Sequence, residues 1–429
     1  MEDFDAHKRD KHSVPGRANI DDTLMTSFDS TKTSIECRKD DSVVGYVGYL
    51  GFGGQIPWAV ILVHLPMLEP VVGGKLFSFS VGIAMGIACN LVRLYVLIFG
   101  RKFSFSARVV FGSVLSALFT FGYYVIYVCS EEGSDRGVDH YGFWIGLALA
   151  LLGGAGNAQL LSTGYGIASV VSFEKPLANS LFFLGQAAAS ALCWPFKRFM
   201  LALNPDNAAL HLAIVMGVIS LISLSLIPVF RYRLGPYTAS KPVESKERVT
   251  CADASKIMHA TLLPNCLLWL SFMCTNLVSP GQILVWKLPA SSHTTDLKLY
   301  LSLCVYVPLV SDAVGKCCCA VVASQKHFFR KILNSNRTGL VLVGLLLVRV
   351  GMIPLFYFPP NQEWSRFLML SVFGFLQGVV ASLSLSLSSS RVSSNESDLT
   401  GYLSSFTIAN GVLVGSVTGM LIRFIHISQ

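Results

Sequence analysis

An acid and a base stand four residues apart in "PLVSDAVGK", where Asp312 and Lys316 interrupt an apolar run from about Leu299 to Ala323. On a helix this spacing puts both side chains on one face, within reach of each other. An ionised group at mid-membrane costs about 2.5–3.5 kcal/mol even on insertion scales, so it faces protein or a watery cavity. The pair therefore reads as a wall of a substrate path, with Asp312 accepting hydrogen bonds and Lys316 holding the carboxylate. The competing reading is an ion pair that locks two helices. Gln159 follows the small-residue run Gly153 to Ala158, and its amide can both donate to and accept from a planar polar edge. Gln186 in "LGQAAAS" and Gln377 in "FGFLQGVVASL" have similar surroundings and read as helix–helix hydrogen-bonding groups. Arg349 in "LVRVGMIP" needs a carboxylate, helix-end carbonyls or a substrate; Arg93 reads equally well as snorkelling to the surface, and His64 as an interfacial histidine. Trp58 in "GFGGQIPWAV" lies mid-segment beside Pro57, which frees a backbone group and invites a kink. An aromatic placed there can stack on a flat ring.

The elements that must position these residues are membrane helices. The chain is 52% hydrophobic and 14% charged, against about 25% charged in soluble domains. A bilayer core needs about 20 apolar residues per helix. Eleven segments qualify, at approximately 43–67, 76–99, 107–129, 142–172, 179–200, 208–230, 259–284, 298–323, 338–358, 366–390 and 399–426. With the N-terminus inside, the inner loops hold fifteen Lys and Arg against seven outside. The positive-inside rule then puts the N-terminus in the cytoplasm and the C-terminus outside. Residues 1–42 read as a disordered cytosolic tail, 43–230 as a six-helix bundle, 231–258 as a cytoplasmic linker loop and 259–429 as a five-helix bundle. Two bundles joined by a long inner loop suit a rocking transporter. Pro57, Pro280, Pro308 and Pro354 are the expected points of bending.

Other classes find no support. No Walker loop, HExxH, GxSxG or paired catalytic carboxylates occur, so enzyme chemistry is not expected. The cysteines lack metal-ligand spacing, and the run Cys317-Cys318-Cys319 reads as helix filling, so no metal or cofactor is expected. The net charge of +8 follows from basic inner loops and calls for no nucleic acid. The expected partners are the lipid bilayer and a small-molecule substrate, with the chain a monomer. "HISQ" is no retention signal, which makes the plasma membrane the default location.

These segments together resemble the equilibrative nucleoside transporter family. "GFGGQIPW" resembles its G-x-G-x-x-x-P-W opening, "AGNAQ" its small-residue run ending in glutamine, and "LGQAAAS" its G-Q-x-x-A/S motif. "SPG" around Pro280 resembles a helix break, "SDAVGK" resembles D-x-x-(G/S)-R, and "LVRVGMIP" resembles R-x-x-x-x-P with Arg349 and Pro354. "FGFLQGVVASL" resembles F-x-F-x-N-G-x-x-A-S-L, and "ESDLTG" resembles E-x-x-x-A-G. The resemblance implies an all-α, major-facilitator-like fold of eleven helices in a six-plus-five arrangement. It implies facilitative transport of nucleosides and possibly nucleobases, purines favoured, by alternating access. By the same resemblance Trp58 would pack on the substrate, Leu62 line the same cavity, Gln159 hydrogen-bond the base, Asp312 accept from ribose hydroxyls and Lys316 orient it. The chain departs from the family at Lys316, usually arginine, and at Gln377, usually asparagine. Two alternatives stand: a proton-coupled carrier of nucleosides or another small polar solute, and a non-transporting membrane sensor.

Overall fold

The computed structural model describes residues 42–72, 75–129, 141–203, 207–239, 251–279, 282–283, 286–289 and 297–427. Among these every regular element is helical. The main helices are α1 (Ser42–Val72), α2 (Lys75–Phe99), α3 (Phe105–Cys129), α4 (Tyr141–Ser172), α5 (Leu177–Leu203) and α6 (Ala208–Val229). They continue with α7 (Leu262–Val278), α8 (Leu297–Ser324), α9 (Asn336–Gly351), α10 (Glu363–Ser390) and α11 (Ser397–Ile427). The tail expected over 1–42 lies, apart from Ser42, outside the described residues, as does Pro280.

Ten helices are long and apolar enough to cross a membrane, where the sequence led us to expect eleven. The remaining segment, 259–284, contains α7, a 17-residue apolar helix. At 1.5 Å per residue this covers about 26 Å, just short of a ~30 Å hydrocarbon core. Its end has a local cause. Ser279 is extended, at φ −121° and ψ 137°, as a residue preceding proline prefers. At its other end Thr261 separates it from the short helix Cys251–Ala260. Within the stretch read as a loop over 231–258, the chain stays helical past α6: Phe230–Leu234 widens into a π turn and Gly235–Ala239 resumes the α form.

The helices pair closely because glycines let backbones touch. In the first six helices, a Cβ on Gly185 of α5 would collide with the Gly48 carbonyl of α1, and one on Gly51 with the Phe182 carbonyl. In the last five, Gly411, Gly415 and Gly419 recur every four residues along α11 and lie against the carbonyls of Trp269, Met273 and Leu277 in α7. Small residues at this spacing are the packing device of membrane helices. A third seam joins α8 to α10. There Gly374 lies against Pro308, Gly315 against the Phe375 carbonyl, and Gly378 against the backbone of Asp312 and Lys316. The glycines of α10 thus fix the very stretch of α8 that carries the charged pair. Between the two sets of helices, α5 packs on α8, and both α2 and α4 pack on α11.

A β-carbon with two methyls has no room at Gly411, whereas a Cβ at Gly344 meets nothing within 4 Å. Gly411→Val is expected to cost about 1–3 kcal/mol by overpacking and to lower the melting temperature of the detergent-solubilised protein. Gly344→Val should leave it within about 0.5 kcal/mol of the parent. Equal melting temperatures for the two variants would contradict the close α7–α11 seam.

Candidate functional site

The site grows from α8. Lys316 Nζ donates to Asp312 Oδ2 at 2.6 Å, with the side chains 6% and 15% exposed. The other carboxylate oxygen, Asp312 Oδ1, is buried and has no hydrogen-bond partner. A buried acceptor left unpaired costs free energy unless something supplies a donor. Lys316 also reaches across to the first six helices: its ammonium lies 5.3 Å from the Phe183 ring centroid on α5, a cation–π distance. Phe183 packs edge-on against Tyr165 of α4, with centroids 5.5 Å apart. Tyr165 exchanges hydrogen bonds with Gln186 at 3.2 and 3.3 Å. A continuous chain of contacts therefore runs from Gln186 through Tyr165, Phe183 and Lys316 to Asp312, crossing from one set of helices to the other.

The remaining expected residues divide into two groups. Gln159 is 8% exposed, its side chain makes no hydrogen bond among the described residues, and its amide is not fully enclosed. Trp58 and Leu62 share one edge of α1, Trp58 half-buried and Leu62 43% exposed. Pro57 leaves α1 unbroken, and the neighbouring Gly54 carbonyl accepts from Asn157 Nδ2 at 2.9 Å. Pro308 likewise lies inside a continuous α8, whereas Pro354 opens a separate short helix, Ile353–Tyr357, after α9 ends at Gly351.

Arg349 and Gln377 belong to a structural knot. Arg349 is fully buried and meets no carboxylate. Its guanidinium donates to the carbonyls of Ser271 and Phe373 and to the hydroxyls of Ser271 and Thr275. It also lies 4.1 Å from the Phe373 ring centroid. Ser271 in turn donates to Gln377 Oε1 at 2.6 Å. One arginine thus staples α9 to α7 and α10. Two single residues differ from expectation. Arg93 does not snorkel: it is buried and donates to the Ser405 carbonyl of α11 at 2.8 Å. His64, read as interfacial, is fully buried in protein, with Nδ1 2.8 Å from the Val60 carbonyl and Nε2 3.1 Å from Nε2 of a buried His211.

A second cluster joins the two sets of helices at one end; of its residues the sequence marked Asp398, within "ESDLTG". Arg101 makes two bonds to the Asp398 carboxylate, at 2.7 and 3.1 Å, and one to the Asn395 carbonyl. Arg108 donates to the Tyr402 hydroxyl at 2.6 Å. Asn179 and Ser169 both contact Ser389, and Ser162 contacts Ser405. Each of these contacts joins the first six helices, or the connections between them, to α10, α11 or the turn between those two. All lie toward the end where α2 runs into α3, α4 into α5 and α10 into α11. Forked arginine–carboxylate geometry makes the Arg101–Asp398 contact both strong and directional.

Because Asp398 is 3% exposed, removing its partner strands a buried charge, which typically costs about 3–5 kcal/mol. Arg101→Ala is expected to lower thermal stability and raise the reactivity of a cysteine placed at Ser404, buried about two turns into α11. The exchange Arg101→Asp with Asp398→Arg should restore most of both. A melting curve and a maleimide-labelling rate measure the effect; no loss in Arg101→Ala would remove this contact from the closure.

No family model matches the chain, and no curated protein matches it. Solved structures do. FucP, described as a major facilitator superfamily transporter in the outward conformation, aligns with a TM-score of 0.62 at 11% identity, covering 90% of this chain and 92% of its own. A variant of the E. coli fucose:proton symporter aligns at 0.58 and 10% identity, again over 90% and 92%. A bacterial homologue of the iron transporter ferroportin, in an outward-facing state, aligns at 0.59 and 14% identity over 89% and 92%. At these identities the likeness is one of fold: the chain is an integral membrane protein, all-helical among the described residues, with a fold like that of these transporters.

Proposed function

We propose that the chain carries a small polar solute across the membrane by alternating access, and that the solute is a nucleoside or nucleobase, purines favoured, moved down its gradient. The observation that carries this reading is Asp312: a carboxylate at the seam between two sets of helices, held by Lys316 on one oxygen and unpartnered on the other. A ribose offers adjacent hydroxyl donors that fit such an acceptor. Gln159, whose amide is not fully enclosed, is placed in the reading on the base edge, Trp58 on the base face and Leu62 beside it. In this proposal Lys316 holds the carboxylate in position. As an ammonium it holds Asp312 through one oxygen and leaves the second for substrate, where a guanidinium fork would engage both.

The rest of the architecture supports the same reading. In this reading α7 counts as the eleventh span, with the N-terminus in the cytoplasm and the C-terminus outside. The boundaries 43–230 and 259–429 are taken as the two moving bodies. The Arg101–Asp398 cluster is then the cytoplasmic closure, and the chain stands closed on that side. The motifs in order along the chain support membership of the equilibrative nucleoside transporter family. A second reading keeps the architecture and adds proton coupling. It rests on Asp312, whose paired carboxylate is the group a proton would displace from Lys316. A fucose:proton symporter among the structures of like fold favours keeping it open to test.

Uptake of labelled adenosine, inosine and hypoxanthine into proteoliposomes, with and without an imposed pH gradient, separates these. Facilitative transport gives uptake that stops at equal concentrations and ignores the gradient. Accumulation beyond equality with the gradient imposed would favour coupling. Asp312→Asn keeps the shape and removes the charge. Losing a charge-assisted hydrogen bond worth about 2 kcal/mol should weaken adenosine transport roughly 30-fold, measured per molecule of folded protein, since the variant also leaves the buried Lys316 ammonium without its counter-charge. Wild-type nucleoside uptake in Asp312→Asn would refute the assignment.

A further inference from the structure

Between α8 and α9 lies a helix of eight residues, Lys326–Leu333, with sequence KHFFRKIL. Its two sides differ sharply. Phe329 and Leu333, one turn apart, are buried in a cluster with Leu267, Ala323, Leu342 and Leu346. Lys326, His327, Arg330 and Lys331 are all exposed. So is Phe328, at 54%. On a helical wheel Phe328 and Arg330 fall on opposite flanks of the buried edge, and His327 and Lys331 face directly away from it. Among the described residues none of these cations is paired with a carboxylate. From Ser324 to Thr338 the sequence contains no acidic residue, and Arg337, also exposed, follows closely.

The helix is held firmly in this pose. Phe329 N donates back to the Gln325 carbonyl at 3.0 Å, and the Thr338 hydroxyl at the start of α9 bonds the Ile332 carbonyl. The Ser335 hydroxyl accepts from the Arg337 amide, which caps α9 immediately after the turn. Its neighbours on either side, Val321 of α8 and Leu340 and Val341 of α9, turn apolar side chains outward, as lipid-facing residues do. A rigid cationic edge with one exposed aromatic is therefore mounted where two lipid-facing helices end. Helices of this pattern lie in the interfacial plane, with apolar side chains at the acyl boundary and basic ones among the headgroups.

We propose that Lys326–Leu333 and the adjoining Arg337 form a docking surface for the headgroups of anionic phospholipids. Unpaired Lys326, Arg330, Lys331 and Arg337 supply the charge complementarity, and Phe328 supplies the apolar anchor beside them. Only Gln325 separates this helix from the end of α8. The docked headgroup thus contacts the element next to the rod that carries Asp312 and Lys316. The proposal concerns a lipid surface and requires no particular solute. It places the helix on the leaflet that the orientation above makes cytoplasmic, which is the anionic one.

The full chain is reconstituted in phosphatidylcholine vesicles that carry a trace of photo-crosslinking phosphatidylserine, or of the matched phosphatidylcholine, in both leaflets. The result is then independent of which end faces inward and of what the chain transports. After illumination, lipid adducts on peptides covering residues 325–338 are quantified. Phosphatidylserine should label them several-fold more than phosphatidylcholine. Each basic residue near an anionic surface contributes about fivefold, so Lys326→Gln with Arg330→Gln and Lys331→Gln should bring labelling down to the phosphatidylcholine level. These side chains are exposed, so the variant keeps its fold. Arg391→Gln, a change at another exposed cation, should alter nothing. Equal labelling by the two lipids, or unchanged labelling in the triple variant, would overturn the proposal. So would loss of the difference on adding inorganic phosphate at constant ionic strength, since the surface would then be a soluble-anion site.

Discussion

Charge inside an apolar bundle has to be held by protein, and most of this architecture follows from how three basic groups are held. Lys316 is neutralised by Asp312, Arg349 is wrapped by carbonyls and hydroxyls, and Arg101 is forked onto Asp398. Each solution ties different helices together. The Arg349 knot places four guanidinium hydrogen bonds within the last five helices and ties three of them together. The Arg101 fork joins the two sets of helices at one end. The Lys316 pair alone keeps an unused acceptor, at the seam where α8 meets α5.

Glycine seams decide what can move against what. The α1–α5, α7–α11 and α8–α10 pairs approach too closely to slide, because backbone carbonyls occupy the space where Cβ atoms would be. One backbone seam also crosses between the first six and last five helices, where Gly401 of α11 lies against the Tyr165 carbonyl of α4; their other contacts are different in kind. Toward the end that holds Arg101 they are polar side chains and hydroxyls, which exchange readily for water. Higher up, Trp194 of α5 stacks on Tyr306 of α8 at 4.9 Å.

Much of this was legible in the sequence where the signal is local. Apolar length placed the helices, and a four-residue spacing brought Asp312 and Lys316 together. Small residues around Gln186 and Gln377 pointed to helix–helix hydrogen bonds, and both make them, to Tyr165 and with Ser271. Partners far along the chain were not legible. Nothing near Arg349 announces that Ser271, Thr275 and Phe373 will enclose it, nor near His64 that His211 will meet it. Phe183 gave no signal, because a phenylalanine in a membrane helix is ordinary until a lysine from another helix lies over its face. α7 fell short of a full span because Ser279 turns extended ahead of a proline, a local rule outweighed in the sequence by the apolar residues beyond it.

The most direct test is whether the end closed by Arg101 and Asp398 opens in the presence of a solute. Spin labels at Phe103 and Ser393, exposed positions on either side of that end, would be introduced after replacing the exposed native cysteines. Their separation would be measured by pulsed electron paramagnetic resonance in proteoliposomes, with and without adenosine. The expected result is a short distance and a longer one in exchange, with adenosine changing their proportions. A single short distance that adenosine leaves unmoved would contradict alternating access around Asp312.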